Sequence, residues 1–189
     1  MTENIMIVGV GGQGTLLASR VLGTLYSEMG ETVKISEVHG MSQRGGSVVT
    51  YVRHGENVAS PVICDGEADM VIAFEQLEAL RFVKSLKKGG KIIVNTQKIM
   101  PMPVVTGAAE YPEDIIAKLE ASGAQVTAVD ALKLAEEAGS AKAVNIALLG
   151  VMAKVTGADK ELFIKALEAT VPPKFLELNK KAFELGYNS

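Results

Sequence analysis

A chain of 189 residues, 48% of them hydrophobic, suits one domain spanning residues 1–189 around a single sizeable core. Nineteen basic residues against 22 acidic ones leave a net charge of -3, and no basic block or aromatic-spaced stripe marks a nucleic-acid partner. The lone Cys64 excludes an intrachain disulfide and a four-cysteine cluster supplied by this chain. With no charged leader before an apolar signal core and no apolar run of about 18 residues, a soluble cytoplasmic protein is expected, with no membrane partner.

The apolar, β-branched run over residues 5–10 reads as a buried parallel strand. It leads into GVGGQG, with Gly9, Gly11 and Gly14 spaced as in the dinucleotide fingerprint. Leu17, Ala18, Val21, Leu22, Leu25, Tyr26 and Met29 then recur at helical spacing until Gly30, which fits an amphipathic helix with a glycine C-cap. Glycine at such a turn allows positive φ and close backbone approach, and the open N–H groups of the first helical turn suit an anion. Close packing of helix on strand is the alternative use of the same glycines.

A second strand over residues 32–38 ends at His39, Gly40, Gln43, Arg44, Gly45, Gly46 and Ser47. In an open parallel sheet this places them at the carboxyl edge, beside the glycine turn. Glu37, about twenty residues past the glycines, stands where a dinucleotide fold has its ribose-binding acid. Residues 48–53 form a third extended run, as a hairpin or edge strand, followed by a polar turn that leaves His54 solvated. Pro61 marks residues 58–64 as an edge or irregular connection.

Strand and helix alternation resumes with a buried strand over 70–74, a helix over 75–86 and a strand over 91–95. Lys87 and Lys88 are expected at the negative end of that helix, with Gly89 as its stop. Asp65, Asp69, Glu75 and Glu78 read as a solvated loop and helix N-terminus rather than a metal or acid-base site. Residues 96–112, with Pro101, Pro103 and Pro112, form a crossing loop that caps the sheet. A helix runs to Ser122, a strand follows over 125–129, and Asp130 caps a helix over 131–138. The helix over 143–155 is apolar nearly all round, so it is sunk in the core or covered by another chain. Asn145, its one polar residue in the middle, is a satisfied buried amide or faces the cleft. Amphipathic helices over 159–170 and 174–185 finish the chain, with Gly186 as the stop. The fold class is α/β: a Rossmann-like three-layer fold with a mainly parallel sheet, an irregular strand-rich segment after the second strand and a helical C-terminus.

Few residues offer autonomous catalysis. The two histidines, His39 and His54, lack an HxxxH, CxxC or GxSxG setting. A stand-alone NAD-dependent dehydrogenase fits Glu37, yet no second domain exists to hold a substrate over a nicotinamide. A non-catalytic scaffold that uses its glycine turns for docking is the other alternative.

Three segments, GVGGQGTLLASRVLG, SEVHGMSQRGGSV and SPVICDGEADMVIAFEQLEALR, resemble the γ-type domain of the 2-oxoacid:ferredoxin oxidoreductases, and within that family the small (beta) subunits of the indolepyruvate branch. The likeness covers nearly the whole chain. It implies a subunit of a complex that oxidatively decarboxylates arylpyruvates with coenzyme A to aryl-acetyl-CoA and CO2 while reducing ferredoxin. Such a complex uses thiamine diphosphate, Mg2+, iron-sulfur clusters and coenzyme A, held mainly by a larger partner subunit, so no cofactor, metal or catalytic residue is assigned to this chain. The resemblance implies a cofactor-binding or subunit cleft formed by Gly9, Gly11, Gly12, Gln13, Gly14, His39, Gln43, Arg44, Gly45, Gly46 and Asn145. A homodimer of the isolated chain is compatible with these features, as is a scaffold role in another 2-oxoacid oxidoreductase.

Overall fold

The computed structural model describes residues 2–37 and 45–189. Strand β1 (Thr2–Val10) passes through the glycine turn into helix α1 (Thr15–Glu28), and β2 (Thr32–Glu37) and β3 (Ser47–Gly55) follow. The rest of the sheet is β4 (Ala68–Ala73), β5 (Leu86–Asn95) and β6 (Gln125–Val129). Between these lie α2 (Gln76–Phe82), the single turn α3 (Met102–Val105) and α4 (Ile115–Ala121). Helices α5 (Ala131–Ala138), α6 (Val144–Thr156), α7 (Lys160–Thr170) and α8 (Pro173–Asn188) end the chain.

The six strands form one sheet in the order β2-β3-β1-β4-β5-β6. Strands β1, β4, β5 and β6 pair in parallel, and β3 pairs antiparallel with both β1 and β2. Alternation along each central strand feeds two cores. In β1, Ile5 and Ile7 face α1 and the C-terminal helices, while Met6 and Val8 face α2 and α4. Both faces are covered, and the three-layer α/β expectation holds.

Of the two readings of β3, hairpin or edge strand, the edge does not hold, while the antiparallel pairing with β2 is that of a hairpin. Strand β3 lies inside the sheet, between β1 and β2, and carries the alternation Val48, Thr50, Val52, His54 toward α1. Covered by that helix and flanked by strands on both sides, His54 is 5% exposed rather than solvated. Its ring stacks on Tyr26 with centroids 3.4 Å apart, and its Nδ1 lies 2.5 Å from a Glu31 carboxylate oxygen.

The helix expected over 75–86 ends early, because a 3-10 turn at Val83–Ser85 lets the chain enter β5 at Leu86. Lys87 and Lys88 therefore lie on a strand, and Lys87 pairs with Asp69 at 2.6 Å instead of with a helix end. Opposite Asp69 the β5 register slips, with Ala68 facing Leu86 but Met70 facing Lys91.

Helix α6 takes the first of its two expected roles: from Val144 to Ala153 every residue is buried, against α8, α5 and the sheet. Its contact with α8 depends on two glycines. A Cβ on Gly150 would sit 2.1 Å from the Phe183 carbonyl oxygen, and one on Gly186 2.0 Å from that of Ala147. Gly186 thus does not stop the last helix, which runs on to Asn188; it lets two backbones touch. Among the described residues no helix is long and apolar enough to cross a membrane.

In an unconstrained helix Gly→Ala gains about 1 kcal/mol. At Gly150 or Gly186 the sign should reverse, with a loss of about 2–3 kcal/mol or more from overpacking, read from urea unfolding midpoints. An Ala variant at either position as stable as the parent would show that the helices are not in backbone contact.

Candidate functional site at the carboxyl edge of the sheet

The glycine turn leaves β1 at Val10 and enters α1 through Gly14, whose φ of 84° places it in the left-handed region. Gln13 locks the turn. Its Oε1 accepts from the Val10 N–H at 2.8 Å, and its Nε2 donates to the Phe74 carbonyl at 3.0 Å, stitching the end of β1 to the end of β4. Asn95 extends this stitch: its Nδ2 donates to the same Phe74 oxygen at 3.0 Å, and its Oδ1 accepts from the Ala131 N–H that opens α5. Asn145, on α6, donates to the Gly14 carbonyl at 3.1 Å and accepts from the Ile146 N–H at 2.9 Å. It is a satisfied buried amide, and a Cβ on Gly14 would meet it at 2.7 Å.

The two glycine segments meet directly. The Gly11 N–H donates to the Gly46 carbonyl oxygen at 2.8 Å. Around this bond three clefts open along the carboxyl edge. One of about 490 Å³ is lined by Gly12, Gln13 and Gly14 together with Gln97, Leu132 and Lys142. A second, about 300 Å³, lies between the start of α1 and the β2–β3 pair and is lined by Gly11, Gly12, Gly14 and Glu37. The third, about 320 Å³, has Gly45 and Gly46 on one wall and Arg81 and Met102 on another. Gly9 and Asn145 line none of them. Gly9 is buried in β1, where a Cβ would fall 2.9 Å from Gln13 Oε1. His39, Gln43 and Arg44 lie outside the described residues.

Two carboxylates at this edge differ from the solvated pair expected from the sequence. Glu75 and Glu78 are 1% and 2% exposed. Glu75 is the N-cap of α2, where its Oε2 accepts from the Glu78 N–H at 3.0 Å. Its Oε1 accepts from the Ile99 N–H and the Tyr111 hydroxyl, so the 96–112 connection is what buries it. Burial, with the Glu75 carboxylate beside it, raises the Tyr111 phenol well above its ordinary range. Glu78 accepts from Ser47 Oγ and from Arg81 Nη1, the latter at 2.8 Å, tying α2 to the first residue of β3. The sequence signal was present in EQLEALR, as an acidic N-cap with a glutamate three residues on and an arginine three beyond that.

Desolvation raises the Glu78 carboxyl above its ordinary value of 4.5, against the opposing pull of Ser47 and Arg81. The folded state therefore holds this proton more tightly than the unfolded chain. Its contribution to stability is complete below 4.5 and is lost as pH rises through the raised folded value. As pH rises above 4.5, Glu78→Gln should remove that part of the wild-type decline in urea midpoint. A variant whose midpoint falls in parallel with the parent's would refute the assignment. Among the described residues no group of three or more His, Cys, Asp or Glu side chains is placed to hold a metal ion.

Known proteins share both this sequence and this shape. Over 188 residues the chain is 44% identical to the indolepyruvate oxidoreductase subunit IorB of Thermococcus kodakarensis, covering 97% of this chain and 93% of that one. To the pyruvate/ketoisovalerate oxidoreductases common subunit gamma of the same organism it is 29% identical, covering 95% and 92%. The fold matches the gamma subunit of a keto/oxoacid ferredoxin oxidoreductase from Geobacter sulfurreducens with a TM-score of 0.74 at 28% identity, covering 98% and 96% of the two chains. The family model for pyruvate ferredoxin/flavodoxin oxidoreductase matches residues 4–189, and the chain belongs to that family.

Proposed function

We propose that this chain, residues 1–189 acting as one γ-type domain, is the small subunit of an indolepyruvate:ferredoxin oxidoreductase. The complex oxidatively decarboxylates arylpyruvates with coenzyme A, giving aryl-acetyl-CoA and CO2, and passes the electrons to ferredoxin. One observation carries the branch. Two proteins of Thermococcus kodakarensis from this family stand at 44% and 29% identity to the chain over near-equal coverage, and the nearer is the indolepyruvate subunit.

The residues of this chain do not fit an iron-sulfur cluster. A [4Fe–4S] cluster takes about four thiolates, and the chain has one cysteine. The carboxylates flanking β4 have local partners: Asp65 binds Lys84 and Ser85, and Asp69 binds Lys87. We assign thiamine diphosphate, Mg2+ and the clusters to a larger partner subunit, as the family resemblance implies. The carbanion chemistry is thiamine's. This subunit's part is to present its carboxyl edge to that partner, with Gly11, Gly12, Gln13, Gly14, Arg44, Gly45 and Gly46 on the shared surface. In support, exposed large apolar side chains gather beside the third cleft, with Met100 48%, Met102 69% and Val105 65% exposed.

The native protein should purify with a larger polypeptide that contains iron, sulfide and thiamine diphosphate, and the complex should reduce ferredoxin with indolepyruvate. Arg44→Ala should cut turnover of the reconstituted complex about tenfold or more while the isolated subunit melts unchanged. Full activity in that variant, turnover by the purified chain alone, or a preference for pyruvate over indolepyruvate would overturn the proposal.

A further inference from the structure

Among the described residues β3 is the sole neighbour of β2 in the sheet, so alternate residues of β2 turn their N–H and C=O groups outward with no main-chain partner. Such edges are ordinarily blunted by several charges, a proline or a bulge. The middle of β2 has one charge, Lys34, and beside it, on the face toward α1, Ile35 is 37% exposed. The opposite edge, β6, carries no exposed large apolar side chain. Along α1, next to Ile35, runs an open groove of about 670 Å³ lined by Arg20, Gly23, Thr24 and Glu28. Arg20 and Glu28 are exposed, and neither has an ion-pair partner among the described residues. They lie eight positions apart, about 12 Å along the helix, with Thr24 midway. Gly23 is seated on Ile35, since a Cβ there would fall 2.8 Å from Ile35 Cδ1, and this sets the middle of the groove level with Ile35.

From this arrangement we propose that a second copy of this chain covers the β2 edge, in a two-fold dimer whose axis passes beside Ile35 and Thr24. The two β2 strands pair antiparallel, with Ile35 opposite its own copy. This register sets Lys34 against Ser36, whereas an axis one residue earlier would bring two lysines face to face. The same axis lays the two α1 helices antiparallel, so that each Arg20 meets the partner copy's Glu28. Strand and helix are matched by one axis because they share one level, and a surface whose charges complement themselves about an axis fits a copy of itself. The interface runs along the side of the sheet rather than across its carboxyl edge. It does not depend on which 2-oxoacid the complex oxidises.

Sedimentation velocity of the purified full chain tests it, and at about 50 µM a dimer should be the main species. Arg20→Glu and Glu28→Arg, both at exposed positions, should each raise the dissociation constant about tenfold or more, and the two changes together should restore it. A merely structural role for either residue would give no such rescue. In a Cys64→Ser background, Ile35→Cys should form an interchain disulfide with diamide, because residues directly opposite lie within disulfide reach. Lys34→Cys should not, its copy being displaced along the strand. A monomer at that concentration, a dimer indifferent to either charge reversal, a double exchange no tighter than the single ones, or cross-linking through Lys34→Cys in place of Ile35→Cys would each overturn the inference.

Discussion

The bond from the Gly11 N–H to the Gly46 carbonyl oxygen joins two segments more than thirty positions apart, and it follows from one feature of the sheet. Strand β3 pairs with β1 along its whole length, from Thr2 opposite Gly55 to Val10 opposite Ser47. An antiparallel strand in full register must begin where its partner ends, so the residues just before Ser47 arrive at the turn just after Val10. A purely parallel sheet would have put β2 beside β1 and left the second glycine segment one strand away. Here β2 is displaced to the edge, and the space under the start of α1 has β3 as its floor.

That geometry explains the amount of side-chain hydrogen bonding spent on the carboxyl edge. A turn with three glycines has little side-chain packing of its own and a large conformational entropy to lose. Gln13, Asn95 and Asn145 supply the missing constraint, each bonding a main-chain group of the turn or of the strand ends beside it. Glu78 does the same for the start of β3 by holding Ser47. These amides and carboxylates face inward and are paired, while the backbone of Gly12 and Gly45 faces the clefts. The site is framed by side chains and surfaced largely by main chain.

Periodicity made most of the layers legible. The β-branched runs of β1 and β4 read as buried strands, the 3.6-residue spacing of α1 as one covered helix face, and the all-round apolar α6 as a helix buried by this chain or by another. Elements set by a distant partner were not legible. The alternation of β3 suits an edge strand or a central one, and only its two neighbours decide; the burial of His54 follows from that choice alone. Glu75 and Glu78 look like helix-start acids because the groups that engage them, Ile99 and Tyr111 for Glu75 and Ser47 for Glu78, are 20 or more residues away. Gly186 near a helix end looks like a terminator because sequence does not reveal that Ala147 lies across from it. At the site, glycine spacing located the turn, but the inward duty of Gln13 needed the Phe74 carbonyl to be seen.

The same division between distant and local causes bears on why the clefts stay open. Five helices, α1 and α5 to α8, pack on one face of the sheet, and the α6–α8 pair approaches backbone to backbone at Gly150 and Gly186. Glycine at positions 12 and 45, both at positive φ with nothing among the described residues within 4 Å of a notional Cβ, answers to main-chain conformation rather than crowding. Gly14 combines both constraints, since its φ excludes a side chain and Asn145 occupies the space one would need. The position where the turn meets α1 is therefore fixed twice over, once by the backbone and once from α6.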